Sequence, residues 1–459
     1  MKYYTMPETR AFLESIGMHG VRNIIIVICT LVQLVGEACT IVAVSGRVTE
    51  DGRPMLLKNR DSDSENVFIK IGRESDLVYL SQCIVGSSWT LSGYNESGFA
   101  IINSHSYNMP NSSSGWNSYV MQLALEHCST VDEFEHFLDS LPKPISVCSN
   151  YGVIDALGHA AIFETSAYSY VKYDADSVDC GYLIRTNFSF SQDTTGVYLI
   201  TPSSRPRYQI ASNYLEDAIL TNGFITKEHL FGLSRCLVNC NGEDLRDIAP
   251  YDEGESMPVD FRYYVPRYSS TSAMIIQGVL PDESPQLTVA WTMLGPPMTS
   301  VTVPYLITPR SALPQKAQSG FHGSSWFAYN GRDLKNSCFI NTHTLDLAKL
   351  YNLCGTGIMQ TIENIEEVIL NRGNDLVERY REGLASCFDI EYYYSWVDNY
   401  VEEQYVQQCL IWSAIIDEVE KEETEAQKVE YYDLLGRPVK EVKDDSVIKR
   451  TGTTGIILN

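Results

Sequence analysis

From Thr40 onward, short runs of apolar and β-branched residues alternate with turn-forming ones. Thr40-Ile-Val-Ala-Val-Ser leads to a Glu50-Asp51-Gly52 turn and then to Pro54-Met-Leu-Leu-Lys, with Val67-Phe-Ile-Lys-Ile and Leu77-Val-Tyr-Leu behind it. Runs of this length, bounded by Gly, Asp and Pro, predict antiparallel strands. The apolar spacing then widens to every third or fourth position over residues 119–128 and 131–140, which predicts two helices, the second capped by Thr130. Further strands are predicted around 151–155, 160–164, 270–277 and 287–293. Past Pro314, Ile362, Ile365, Ile369 and Leu376 among Glu and Arg predict a long amphipathic helix, and residues 400–420 a second one ending in acidic residues. That acidic run reads as a solvated helix face rather than a cation site. Residues 430–439 through 455–459 return to strand and turn, and the chain has no internal repeat.

The first 38 residues read differently. Arg22 precedes an apolar run from Asn23 to Val35, the length of an export signal and short for a bilayer span. Gly36 and Ala38 place small residues where a signal peptidase reads; Met18 offers a second start, and a buried core segment is the competing reading. Cleavage after Ala38 leaves Cys39 first, in the periplasm, at the cell surface or outside the cell. Lipidation at Cys39 is a minority alternative, since a lipoprotein signal wants a large aliphatic residue where Gly36 stands. With 459 residues the chain exceeds most single domains. The expected organisation is a leader over 1–38, a catalytic core over 39–312, a helical extension packing on that core over 313–425, and a tail over 426–459.

Composition narrows the function classes. Lys+Arg 34 against Asp+Glu 58 gives a net charge of −24, a surface that repels phosphate backbones and excludes nucleic acid as a partner. The 29 Tyr, 15 Phe and 44% hydrophobic residues belong to a packed protein rather than an acidic disordered one. Twelve cysteines form no CxxC pattern, and Cys236 and Cys240 have no histidines at ligand spacing, so neither a metal nor another cofactor is expected. Cys128, Cys148, Cys354 and Cys409 lie in apolar contexts that suit buried free thiols, while an exported protein could also form disulfides.

A cysteine at a new N-terminus carries its own base, because an α-amine with a pKa of about 7.7–8.0 can take the thiol proton directly or through one water. No histidine is then required, and none of the eight, His105 included, stands in a Cys-His protease context. Downstream of Cys39-Thr40-Ile-Val-Ala-Val come Thr49-Glu-Asp-Gly52 and Leu56-Leu-Lys58-Asn59-Arg60-Asp61. This succession resembles the opening of the cysteine N-terminal-nucleophile hydrolases: the choloylglycine hydrolases and penicillin V acylases, related dipeptidases and the acyl-coenzyme A:isopenicillin N acyltransferase-like family.

The resemblance implies that Asp61 holds the α-amine of Cys39 and that Lys58 stands where many members have Arg near the thiol. Lys cannot form the bidentate fork of Arg, so neighbouring Arg60 is a second candidate. Gly93-Tyr-Asn95-Glu-Ser-Gly98-Phe-Ala-Ile-Ile-Asn103 is similar to the family's turn and strand ending in an oxyanion-hole asparagine, which points to Asn103, with Asn95 shaping the turn. Asn150-Tyr-Gly-Val-Ile-Asp155, Phe163-Glu164 and Arg185-Thr186-Asn187-Phe188 resemble the central sheet and a second active-site asparagine, Asn187. Ser203-Ser-Arg205-Pro-Arg207 is similar to a later family arginine, with Arg207 the better placed. Thr271-Ser272-Ala-Met-Ile-Ile and Trp291 through Ser300 look like the closing strand pair. By this resemblance the fold is α+β, a four-layer αββα sandwich with a C-terminal helical extension.

The implied activity is hydrolysis of a linear amide in a small molecule or short peptide. Acyl transfer to an amine, or an inactive secreted or lipid-anchored binding protein, are the alternatives; self-association into a homo-oligomer is left open. The tail from Tyr432-Asp-Leu-Leu-Gly-Arg to Gly455-Ile-Ile resembles a shortened C-terminal sorting domain of type IX secretion cargo, a plain terminal hairpin being the other reading.

Overall fold

The computed structural model describes residues 39–73, 75–87, 89–109, 116–192 and 203–426, with four short strands between 430 and 457; side chains are described through residue 407. The expected leader, 1–38, lies outside the described residues. In chain order the first elements are β1 (Thr40–Val44), β2 (Met55–Asp61), β3 (Val67–Gly72), β4 (Tyr79–Ile84), β5 (Thr90–Asn95) and β6 (Ala100–His105). Then come α1 (Asn117–His127), α2 (Val131–Ser140), β7 (Ser149–Ile154), β8 (Ala160–Thr165), β9 (Tyr170–Asp174) and β10 (Tyr182–Arg185). The core ends with α3 (Ser204–Asn222), α4 (Lys227–Ser234), β11 (Pro258–Asp260), β12 (Ser270–Gln277), β13 (Val289–Met293) and β14 (Thr302–Tyr305).

Two antiparallel sheets result: one of six strands in the order β10-β1-β2-β12-β13-β14, and one of seven in the order β3 to β9. Strands β1 and β2 are buried on both faces, which is why β1 reads as a continuous apolar run rather than an alternating one. The sheets face each other so closely that a Cβ on Gly152 of β7 would meet Leu56 of β2 at 3.6 Å and Ile102 of β6 at 3.0 Å. On the outer face of the seven-stranded sheet, Val120, Met121 and Leu125 of α1 and Phe134 and Leu138 of α2 pack on Phe99, Ile101, Tyr151, Val153 and Phe163. On the outer face of the other sheet, α4 lies against β2 and β12, with the rings of Phe231 and Trp291 6.2 Å apart, while α3 lies against β10. The layering is the expected αββα, each amphipathic element burying its apolar face against a sheet.

Local chemistry explains the turns. The expected 50–52 turn returns β1 to β2, and a Cβ on Gly46 would meet the Gly52 carbonyl oxygen at 2.1 Å, so only glycine lets these backbones approach. Asn95 shapes its turn as expected, its side-chain oxygen accepting from Ser97 N and Phe99 N while its amide donates to Leu125 O and Cys128 O. Thr130 caps α2 by accepting from Glu133 N at 3.1 Å.

Beyond the core come α5 (Trp326–Cys338), β15 (Phe339–Asn341), β16 (Thr344–Asp346), α6 (Leu347–Leu350), α7 (Ile358–Arg381) and α8 (Cys387–Ala426). The predicted amphipathic helix is α7, with Ile362, Ile365, Ile369 and Leu376 buried against the β14 edge. Its Glu366 reaches into the core, taking both Arg235 Nη atoms at 2.5 and 2.8 Å and Thr302 N at 2.5 Å; Arg235 also donates to Pro297 O and Ser300 O. The helix expected over 400–420 starts earlier, at Cys387. Two compact units divide within α8, one running to Ser395 and one from Trp396 on; the latter ends in a small antiparallel sheet, β18-β17-β19-β20, of Glu430–Asp433 (β17), Pro438–Val439 (β18), Val447–Arg450 (β19) and Ile456–Ile457 (β20). Among the described residues ten cysteines are free, and Cys354, expected in an apolar setting, is exposed, whereas Cys128 and Cys148 are buried; Cys409 lies outside the described side chains.

Candidate active site

The site grows from one end of the sandwich, where β1 and β12 begin and β2, β6 and β10 finish. Cys39 immediately precedes β1 and is buried at 5% exposure, and the antiparallel register sets Thr40 opposite Asn59 and Ile41 opposite Lys58. Two residues past Asn59, at the end of β2, the strand presents Asp61, 1% exposed.

Arg207 joins these pieces. It sits in the first turn of α3, fully buried, and donates through one Nη to Cys39 O at 2.7 Å and Thr40 Oγ1 at 3.0 Å, and through the other to Asn187 Oδ1 at 2.8 Å. The first of these nitrogens is 4.0 Å from Asp61 Oδ2. Burial, reinforced by the charge of Arg267, pulls the Arg207 guanidinium down to about 9, while Asp61 opposes the shift; it remains a cation at neutral pH. Asn187 in turn donates to His105 O at 2.9 Å, tying the loop after β10 to the end of β6.

That loop is held firmly. Buried Glu164 on β8 accepts from Arg185 Nε at 2.5 Å and from the backbone N–H groups of Phe190 and Ser191 at 2.8 and 2.7 Å. Asn150 on β7 donates to Phe188 O at 3.1 Å and accepts from Ser189 Oγ at 2.6 Å. Asn187 is therefore fixed between two anchored segments, a positioned amide rather than a mobile loop residue.

On the facing sheet, Asn103 of β6 donates to Ser149 Oγ at 3.0 Å and accepts from Lys58 Nζ at 2.7 Å, and Lys58 also donates to Leu91 O at 2.5 Å. Lys58 thus bridges the two sheets and orients the Asn103 amide, its oxygen tied down and its nitrogen left as donor. Arg60 is not brought into this group: its guanidinium donates to Ser64 O at 2.9 Å and Thr271 Oγ1 at 2.6 Å. His105 turns its ring to a different thiol, Cys148 Sγ, at 3.3 Å.

The structure gathers Cys39, Asn187 and Arg207 into one hydrogen-bonded cluster, which Asp61 joins through the 4.0 Å ion pair to Arg207, with Asn103 and Lys58 linked to it through β6. The family model described as acyl-coenzyme A:6-aminopenicillanic acid acyl-transferase matches residues 48–229, about two fifths of the chain, a span that holds Lys58, Asp61, Asn103, Asn187 and Arg207. Over that span the chain is similar to this acyl-transferase family. No curated protein matches the chain. Three solved structures overlap it loosely. A Caenorhabditis elegans ortholog of N-acylethanolamine-hydrolyzing acid amidase is 12% identical, covering 53% of this chain and 94% of its own, with a TM-score of 0.34. A mutant of the conjugated bile acid hydrolase from Clostridium perfringens is 14% identical over 60% of this chain and 93% of its own, TM-score 0.34. Penicillin V acylase from Agrobacterium tumefaciens is 16% identical over 59% of this chain and 87% of its own, TM-score 0.34.

One participant has no counterpart in the family resemblance read from the sequence. Arg267, in the loop before β12, donates from Nε to Asp61 Oδ2 at 2.8 Å, and Ser270 Oγ donates to Asp61 Oδ1 at 2.5 Å. Asp61 therefore faces two guanidiniums, and the buried cluster carries one positive charge in excess. The available hint is position: the Arg267-Tyr-Ser-Ser segment leads into a β-rich run at the same sheet end as Asp61.

Proposed function

We propose that the chain is exported, that residues 1–38 are removed, and that the freed Cys39 hydrolyses a linear amide in a small molecule or short peptide. The observation that carries this reading is the fastening of the Cys39 carbonyl by Arg207, which also holds Asn187 and faces Asp61. Once cleavage creates a free α-amine there, a buried carboxylate stands one guanidinium away to orient it. The amine takes the thiol proton, the thiolate adds to the substrate carbonyl, and the positive excess of the cluster favours the charge that develops. The Asn103 amide, held by Lys58, donates to the oxyanion. The proton returns to the leaving amine as the C–N bond breaks, and water, activated by the same α-amine, releases the acid and restores the thiol.

Intact mass and N-terminal sequencing of the protein from an exporting host test the activation step. A chain starting at Cys39 with a free amine and turning over an acylated amine is the expected result; a retained leader or a lipidated Cys39 removes the base and turns the reading towards a binding protein. The acyltransferase family match favours a second reading, acyl transfer. Adding a competing amine distinguishes the two, since transfer diverts product from free acid to a new amide.

Arg267→Met is expected to lower kcat about tenfold with KM little changed. A hydrogen bond to a charged group contributes about 1.5–3 kcal/mol net, and Ser270 still holds the other carboxylate oxygen. Arg267→Lys should recover part of the loss; an unchanged kcat in the Met variant refutes the positioning role.

A further inference from the structure

A space partly open to solvent lies away from Cys39, in the outer helical layer between α3, α4 and α7. It is a cavity of about 310 Å³, at the lower end of the size range of small-molecule sites. Its apolar walls include Phe231, Leu237 and Met359, and its floor is the buried Arg235–Glu366 pair.

The charges around it do not cancel. Arg235 is spent on Glu366 and on two backbone carbonyls, and Arg246, at the rim, grips Asp244 through Nε and Nη2 at 2.9 and 2.6 Å. Glu228 is paired with Lys227 at 2.9 Å. Glu363 also lines the cavity, one turn before Glu366 on α7, and makes no hydrogen bond or ion pair among the described residues. Burial raises its carboxyl above the usual range, with Glu366 adding to the shift and the two arginines opposing it. Tyr214, also lining the space, likewise makes no hydrogen bond among the described residues. A half-buried carboxylate with no hydrogen bond or ion pair of its own, two aromatic side chains and an apolar wall together suit a cation with an apolar body.

We propose that this cavity binds a small organic cation, a primary ammonium group on an apolar body, with Glu363 as its counter-ion. An anion is disfavoured because both guanidiniums already face carboxylates. The site is separate from the Cys39 cluster and is independent of the hydrolytic reading.

Calorimetric titration of the full-length Cys39→Ala protein with benzylammonium, and with benzyl alcohol as its neutral counterpart, tests the proposal. Saturable benzylammonium binding is expected, with benzyl alcohol at least tenfold weaker. Glu363→Gln should cost at least tenfold in benzylammonium affinity, while leaving amide turnover of the Cys39-containing protein unchanged. Met359→Trp, which fills the space, should also abolish binding and serves as the deciding variant if Glu363→Gln fails to fold by its thermal transition. Absence of saturable binding, equal affinity for the alcohol, or undiminished affinity in a folded variant overturns the proposal; the last places the amine elsewhere, as at the Cys39 site.

Discussion

Replacing Cys39 by Ala is expected to abolish amide turnover while leaving the thermal transition within a degree or two of the parent. The variant removes only the sulfur: the carbonyl gripped by Arg207 at 2.7 Å and the β1 ladders to β2 and β10 belong to the backbone and survive. A nucleophile that acts with its base and oxyanion donors as one unit loses nearly everything when removed, on the order of a millionfold in kcat. The check is turnover of acylated amines by protein made directly with residue 39 at its N-terminus, which separates chemistry from leader removal. Residual activity above about a percent of the parent in the Ala variant would exclude Cys39 as the nucleophile. Cys39→Ser distinguishes further, since its weaker but present nucleophile should retain a trace.

The largest stability effect is expected at Glu366. Its carboxylate receives both Nη atoms of Arg235 and the Thr302 N–H, with the side chains 5% and 6% exposed. Glu366→Ala strands a buried guanidinium and a buried amide together, and breaking one side of such a pair costs about 3–5 kcal/mol. Denaturant unfolding should show the loss as a lowered midpoint. The double variant Arg235→Met/Glu366→Leu should recover only part of it. Apolar replacement of a buried pair is often neutral, but here Thr302 N, Pro297 O and Ser300 O lose partners as well. Full recovery would mean that the backbone groups find other partners; a loss under about 1 kcal/mol in the single variant would show the pair to be solvated rather than buried.

Most parts of the site that were legible in the sequence lie on or beside regular elements, while Asn187, in the loop after β10, was legible only through the family resemblance. Cys39, Asp61 and Asn103 stand at strand ends, where an apolar run breaks into a polar residue, and Arg207 opens a helix. Arg267 was not legible, because it comes from an irregular loop and meets Asp61 across 206 residues of chain. Lys58 was read as a neighbour of the thiol, and the structure gives it another task, bridging Leu91 O and Asn103. Sequence order says which residues share a strand face but not which partner waits on the opposite sheet. The same holds for fold elements. The heptad-like apolar spacing of α7 announced itself, whereas the first turns of α8 carry strand-like composition, Phe388, Tyr392, Tyr393 and Tyr394, which the burial of Tyr393 and Tyr394 overrides. Strand β14 is only Thr302-Val-Pro-Tyr, an edge strand whose proline conceals it.

The grip of Arg207 on the Cys39 carbonyl bears on how a zymogen of this design would mature. That carbonyl belongs to the peptide bond after Cys39, the one bond beside the nucleophile that activation leaves intact. On the proposed removal of residues 1–38, the charge at residue 39 changes while the bond that Arg207 holds stays intact. Maturation on this scheme is a switch in protonation chemistry rather than a refolding event, so the rate at which activity appears should be set by the protease step alone.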